Sequence, residues 1–219
     1  MKRLVAVAGL ALLCSSAQGV EIRADSFFVS PLLAPFVSGT VARCNEDLEK
    51  IHPPLKGALQ EIIFTTFRQR LTPFAFVSPQ HPSTIVFHVS GYSLCALAHE
   101  VAHTYEQTIS ESNLFSWTRL VDTSVSYWGE SRWERPQKGF LEEYGAKRCT
   151  SDLCSSSFHY HEDIATFVED IYSGYQRIAL ADPSDPRYSG KLRLLRAWDF
   201  ISENQYDSAM TLLGSKREN

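Results

Sequence analysis

After its first thirteen residues the chain has no apolar run long enough to cross a membrane, which excludes a helical span from the rest. It lacks a basic patch interleaved with aromatics, and its net charge is −4, so nucleic acid is excluded as a partner. No internal repeat and no low-complexity tract breaks the text, which leaves an ordinary globular chain. Cysteine is scarce: five residues in 219, of which Cys14 falls in the leading segment.

That segment reads as an export signal. Met1, Lys2 and Arg3 form a short basic region, and Leu4–Leu13 is an apolar stretch too short for a span. Ser15-Ser16-Ala17 sets small residues for cleavage after Ala17, with cleavage after Gly19 as the alternative, and Leu13 before Cys14 argues against lipidation. The expectation is a signal peptide over 1–17 and one soluble, secreted or periplasmic domain over 18–219. The mature chain keeps Cys44, Cys95, Cys149 and Cys154, an even number that favours disulfides in an exported protein. Cys149 and Cys154 enclose a short hydrophilic loop and pair most naturally with each other. Cys44 with Cys95 then ties the N-terminal part to the segment that follows.

What is present is His99-Glu100-Val101-Ala102-His103, the pattern H-E-x-x-H. On a helix, residues four apart lie one turn above each other on one face, so both imidazoles point at one metal ion. Glu100 is placed to act as a general base on water, the arrangement of zinc-dependent hydrolases known as zincins. Leu94, Ala96, Leu97, Ala98, Val101 and Ala102 favour a buried helix, with Ser93 as its N-cap.

Around it, Val20–Cys44 is broken by Pro31 and Pro35 and reads as an extended leading segment. Leu55–Leu71 has apolar residues three and four apart and reads as an amphipathic helix. Phe74–Val77 and Thr84–Val89 read as strands, the second a candidate for the strand that edges a cleft and pairs with an extended substrate, or else a core strand. Further helices are expected at Asn113–Val121, Glu162–Arg177, Lys191–Ser202 and Gln205–Leu213, with Lys191, Arg193 and Arg196 as the solvated face of theirs. Strands before the metal helix and helices after it make the class α+β, with a small N-terminal sheet and a helical C-terminal lobe.

A catalytic zinc needs a third protein ligand and one open position. Glu142, Glu143, His159, His161, Glu162, Asp163 and Glu169 are the downstream candidates, and Glu162 opens an acidic first turn that suits a helix dipole. Phe140-Leu141-Glu142-Glu143-Tyr144-Gly145-Ala146, followed by Glu162-Asp163-Ile164-Ala165-Thr166-Phe167, resembles the paired motif of exported bacterial zinc peptidases. Those are similar to the catalytic domain of anthrax lethal factor and to the Pro-Pro endopeptidases. The resemblance covers roughly residues 92–175. It implies a zincin fold, with His99, His103 and Glu162 as zinc ligands, Glu100 as base and Tyr144 as the oxyanion donor. Two departures stand out. The Cys149–Cys154 insertion separates Tyr144 from Glu162, which keeps Tyr160 and His159 as alternatives for that role. Thr166 replaces a second glutamate, with Asp163 as a substitute partner to orient a ligand histidine.

The function expected is a secreted, monomeric zinc endopeptidase acting on protein or peptide substrates, with no membrane anchor in the mature chain. The alternative is a zincin-fold binding protein that keeps the metal and has lost catalysis.

Overall fold

The computed structural model describes residues 19–24, 33–66, 74–120, 135–136, 139–141 and 160–215. The signal segment, Tyr144, Cys149, Cys154, Glu142, Glu143 and His159 lie outside them. The described residues are mixed α+β and fall into two compact units: residues up to 50 with 59–92, and residues 51–58 with 93 onward. No helix among the described residues is long and apolar enough to cross a membrane.

The first unit is a helix on a sheet. Strands β1 (Glu21–Ala24), β2 (Glu61–Thr65), β3 (Ala75–Val77) and β4 (Thr84–His88) are ordered β1-β2-β4-β3. β1, β2 and β4 are parallel, and β3 runs antiparallel to β4. The register sets Ile22 beside Ile62, Ile62 beside Ile85 and Phe64 beside Phe87. All of these are buried on one face, the period of two expected of strands. Helix α1 (Ala34–Lys50) buries Val37, Val41, Cys44 and Leu48, spaced three and four apart, and packs on β1. Tyr92 links α1 to the sheet. Its ring meets Phe64 and Phe87 at 5.5 and 5.4 Å, its hydroxyl donates to Asp47 Oδ2 at 3.0 Å, and Arg43 lies over it.

Three sequence expectations change here. Val20–Cys44 is not one extended segment: Pro35 stands in the first turn of α1, where a missing N–H is tolerated. The amphipathic helix over 55–71 is replaced by the one-turn α2 (Pro53–Lys56) and by β2. Ile62 and Phe64 are buried while Glu61, Ile63 and Thr65 are half-buried, so period two overrode an apparent helical spacing. Thr84–His88 is the core strand of the two readings, because β2 and β3 occupy both its edges and no substrate can pair with it.

The second unit is helical. It comprises α2, α3 (Leu94–Glu106), α4 (Glu111–Thr118), α5 (Tyr160–Tyr172), α6 (Pro186–Ala197) and α7 (Glu203–Gly214). Ser93 caps α3 by accepting from the N–H of Ala96 at 3.1 Å, as expected. Ser110, not Asn113, caps α4, one turn earlier than the sequence suggests. Leu97, Ala98, Val101 and Ala102 of α3 are fully buried, as are Ile164, Ala165, Phe167 and Val168 of α5. These two helices form the most extensive helix contact of the unit.

Lys191 corrects the reading of a solvated basic face. Arg193 and Arg196 are exposed, but Lys191 is fully buried and donates to Asp163 Oδ2 at 2.5 Å and to the carbonyl of Gly139 at 2.6 Å. Its ammonium lies over the rings of Trp117, Phe140 and Phe167. Trp117 Nε1 donates to the same Asp163 oxygen at 2.7 Å. Charge patterning along α6 misses this because the partner acid lies 28 residues away on α5.

Candidate metal centre

The helical spacing of 99 and 103 sets two imidazoles one turn apart on the buried face of α3. Contacts between the helices fall in reversed order, with Glu169 against His99, Glu162 against both histidines and His161 against Glu106, so α5 runs antiparallel to α3. The first turn of α5 thereby delivers Glu162 to the histidine pair. His99, His103 and Glu162 each bring one ligand atom into a common cluster, the only such group of three among the described residues.

The edges of the cluster are informative. His99 Nε2 and His103 Nε2 stand 3.2 Å apart. Glu162 Oε2 lies 3.3 Å from His99 Nε2 and 3.6 Å from His103 Nε2. Ligand atoms about 2.0–2.1 Å from a zinc ion, at the corners of a tetrahedron, are about 3.3–3.4 Å from one another. The three atoms match one face of that tetrahedron.

Proton placement makes the same point. His99 Nδ1 is 2.9 Å from Glu169 Oε2, which assigns its proton to that nitrogen. His103 Nδ1 faces Glu106 Oε2 at 3.7 Å. With the His103 proton likewise on Nδ1, both Nε2 lone pairs would converge with a carboxylate oxygen, Glu162 Oε2, which is buried and has no hydrogen-bond partner among the described residues. Three converging lone pairs repel one another unless a cation or protons stand between them. The donor set fits a divalent metal.

Without metal, protons meet the same need. Burial opposes the charge on His103, but Glu106 and Glu162 outweigh it and hold the imidazole up to about 10. His99 is raised in the same sense: burial lowers it, and Glu162 and Glu169 more than reverse this. Burial pushes Glu162 upward, yet the two imidazoles hold it far below the ordinary carboxylate range. Glu100, 9% exposed, is raised chiefly by burial, with the imidazoles pulling against it. A raised carboxylate binds a proton more readily, which suits a base.

Sequence reasoning named His99, His103, Glu100 and Glu162, and the structure brings the three proposed ligands together. Asp163 does not orient a ligand histidine; Lys191 and Trp117 occupy it. The carboxylate on His99 comes from Glu169, seven residues after Glu162, two turns along one helix face. Glu106 was missed entirely, although its place three residues after His103 is a helix-face signal. Tyr160 opens α5 with its ring on His161, 4.1 Å between centroids, and Tyr144 lies outside the described residues.

The Cys44–Cys95 disulfide is not formed. Cys44 is a buried thiol on the inner face of α1, raised to about 12 by burial, and Cys95 is a half-buried thiol in the first turn of α3. Compared with protein-family models, with curated proteins and with solved structures, the chain matches none.

Proposed function

We propose that the chain is a zinc-dependent endopeptidase of zincin type, with His99, His103 and Glu162 as zinc ligands and Glu100 as general base. The observation that carries this reading is the convergence of His99 Nε2, His103 Nε2 and Glu162 Oε2, with edges of 3.2, 3.3 and 3.6 Å, beside Glu100 on the helix of the two histidines. A zinc ion there supplies Lewis acidity, lowering the pKa of water to about 7 and polarising a carbonyl.

The chain's own residues do the rest. Glu169 holds the proton of His99 on Nδ1 and so keeps Nε2 as a donor atom. Glu100 takes a proton from the attacking water and returns it to the amine that leaves when the C–N bond breaks. The carboxyl carries that proton between the two steps. No covalent bond to the protein is required. The leading segment supports export, and the substrate class is peptide.

The test is Glu100→Gln, assayed on a library of unfolded or proteome-derived peptides. The variant should keep zinc and lose cleavage by at least about two orders of magnitude. Cleavage at the wild-type rate would show that Glu100 is not the base.

A further inference from the structure

Glu106 ends α3 and is 2% exposed. A carboxylate there sits at the negative end of the helix dipole and has lost nearly all its hydration, so it persists only if cations or donors answer it. Two imidazoles do so. His161 Nδ1 lies 2.5 Å from Oε1, and His103 Nδ1 lies 3.7 Å from Oε2. The two oxygens are thus divided between a ligand histidine and a histidine that is not a ligand.

His161 is held from its other side. Its side chain is 47% exposed, and its ring lies on that of Tyr160. The contacts Tyr160, His161, Glu106 and His103 therefore run from the surface to one ligand imidazole. On the other ligand the single carboxylate of Glu169 does the corresponding work at 2.9 Å. The two arms differ: one is a direct hydrogen bond, the other a carboxylate that is itself fixed by a neighbour.

We propose that Glu106 and His161 are positioning residues for His103. Glu106 keeps the proton of His103 on Nδ1 and fixes the ring plane, and His161 fixes the carboxylate of Glu106. The inference rests on the metal-centre reading above. It assigns a task to the one fully buried carboxylate that the hydrolytic reading leaves unused in the last turn of α3.

The experiment uses the purified full chain, with zinc affinity read by chelator competition and ligand geometry read from the visible spectrum of the cobalt-substituted protein. Glu106→Gln should weaken zinc binding 10- to 100-fold and alter the cobalt bands. His161→Ala should weaken binding by a smaller factor, and should add nothing in the double variant because both act through one contact. His161→Gln, which retains a donor for Glu106, should recover part of the loss.

Wild-type zinc affinity and an unchanged cobalt spectrum in Glu106→Gln would overturn the proposal, as would additive effects of the two substitutions. Should Glu106→Gln not fold, His161→Ala alone decides, since a half-exposed residue with a purely structural role lowers melting temperature without moving the spectrum. A wild-type protein that binds neither metal removes the metal-centre reading itself, a result distinct from either failure of the positioning arm.

Discussion

Glu162 and Asp163 are consecutive residues on α5, and they meet opposite environments. Asp163 is fully buried, and its charge is answered from within the chain by the Lys191 ammonium at 2.5 Å and the Trp117 indole. Three aromatic rings surround that ammonium. Glu162 meets no lysine or arginine among the contacts described. It faces two imidazoles whose other nitrogens are turned to Glu169 and Glu106. Each carboxylate keeps one buried oxygen without a hydrogen bond among the described residues, Glu162 Oε2 and Asp163 Oδ1, so the two differ in the counter-charge they meet. About 100° of helix rotation separates an ion pair with lysine from a cluster whose charge is met by protons or by a metal cation. Burial alone therefore does not tell the two carboxylates apart; the kind of counter-charge each meets does.

The largest effect should come from breaking the completed pair. Lys191→Ala strands Asp163 in the core and should reduce stability by about 3–5 kcal/mol in urea unfolding, with no recovery on adding zinc. Replacing both partners with apolar residues of similar volume, Lys191→Met with Asp163→Leu, should return most of that loss. A neutral Lys191→Ala would mean that Asp163 does not depend on the Lys191 ammonium for its counter-charge.

Zinc supplies the contrast. At a free concentration 100 times its dissociation constant it should stabilise the wild type by about 2.7 kcal/mol, and Glu162→Ala by almost nothing at the same concentration. Equal stabilisation of the two proteins would remove Glu162 from the ligand set.

The pH dependence of the metal-free and metal-loaded proteins should run in opposite directions. Without metal the folded His103 imidazolium is held up to about 10, above its ordinary 6.5. A raised folded value gives stability that is complete below about 6.5 and is lost as pH climbs through about 10. The stability difference between wild type and His103→Ala, measured in chelator, should therefore shrink across that window. Zinc affinity should instead rise with pH, as the ligand imidazoles give up their protons. The smallest effect belongs to the helix cap: Ser93→Ala should lower stability by about 1 kcal/mol and leave zinc stoichiometry unchanged.

Helix α3 was legible because its signals are local: a serine cap, a run of small apolar residues and a four-residue histidine spacing all fall within eleven positions. β3 and β4 were legible as short β-rich runs bounded by turn residues. β2 was not, since Leu55, Leu59, Ile62 and Ile63 imitate a helical period and only pairing with β1 and β4 resolves it. At the site the clustering residues His99, His103 and Glu162 could be named from spacing and resemblance, whereas the residues behind them could not. Glu169, Glu106 and His161 acquire their roles from the antiparallel docking of α5 on α3, and Lys191 acquires its partner from α5 in the same way. These are contacts between segments distant in sequence, beyond the reach of local patterns.

Metal content decides whether His99, His103 and Glu162 hold an ion. Elemental analysis of the purified protein after reconstitution and removal of free metal should find about one zinc per chain in the wild type and much less in Glu162→Ala. No tightly bound zinc in the wild type, with the fold intact by circular dichroism, would contradict the reading of His99, His103 and Glu162 as a metal centre, and the peptidase proposal with it.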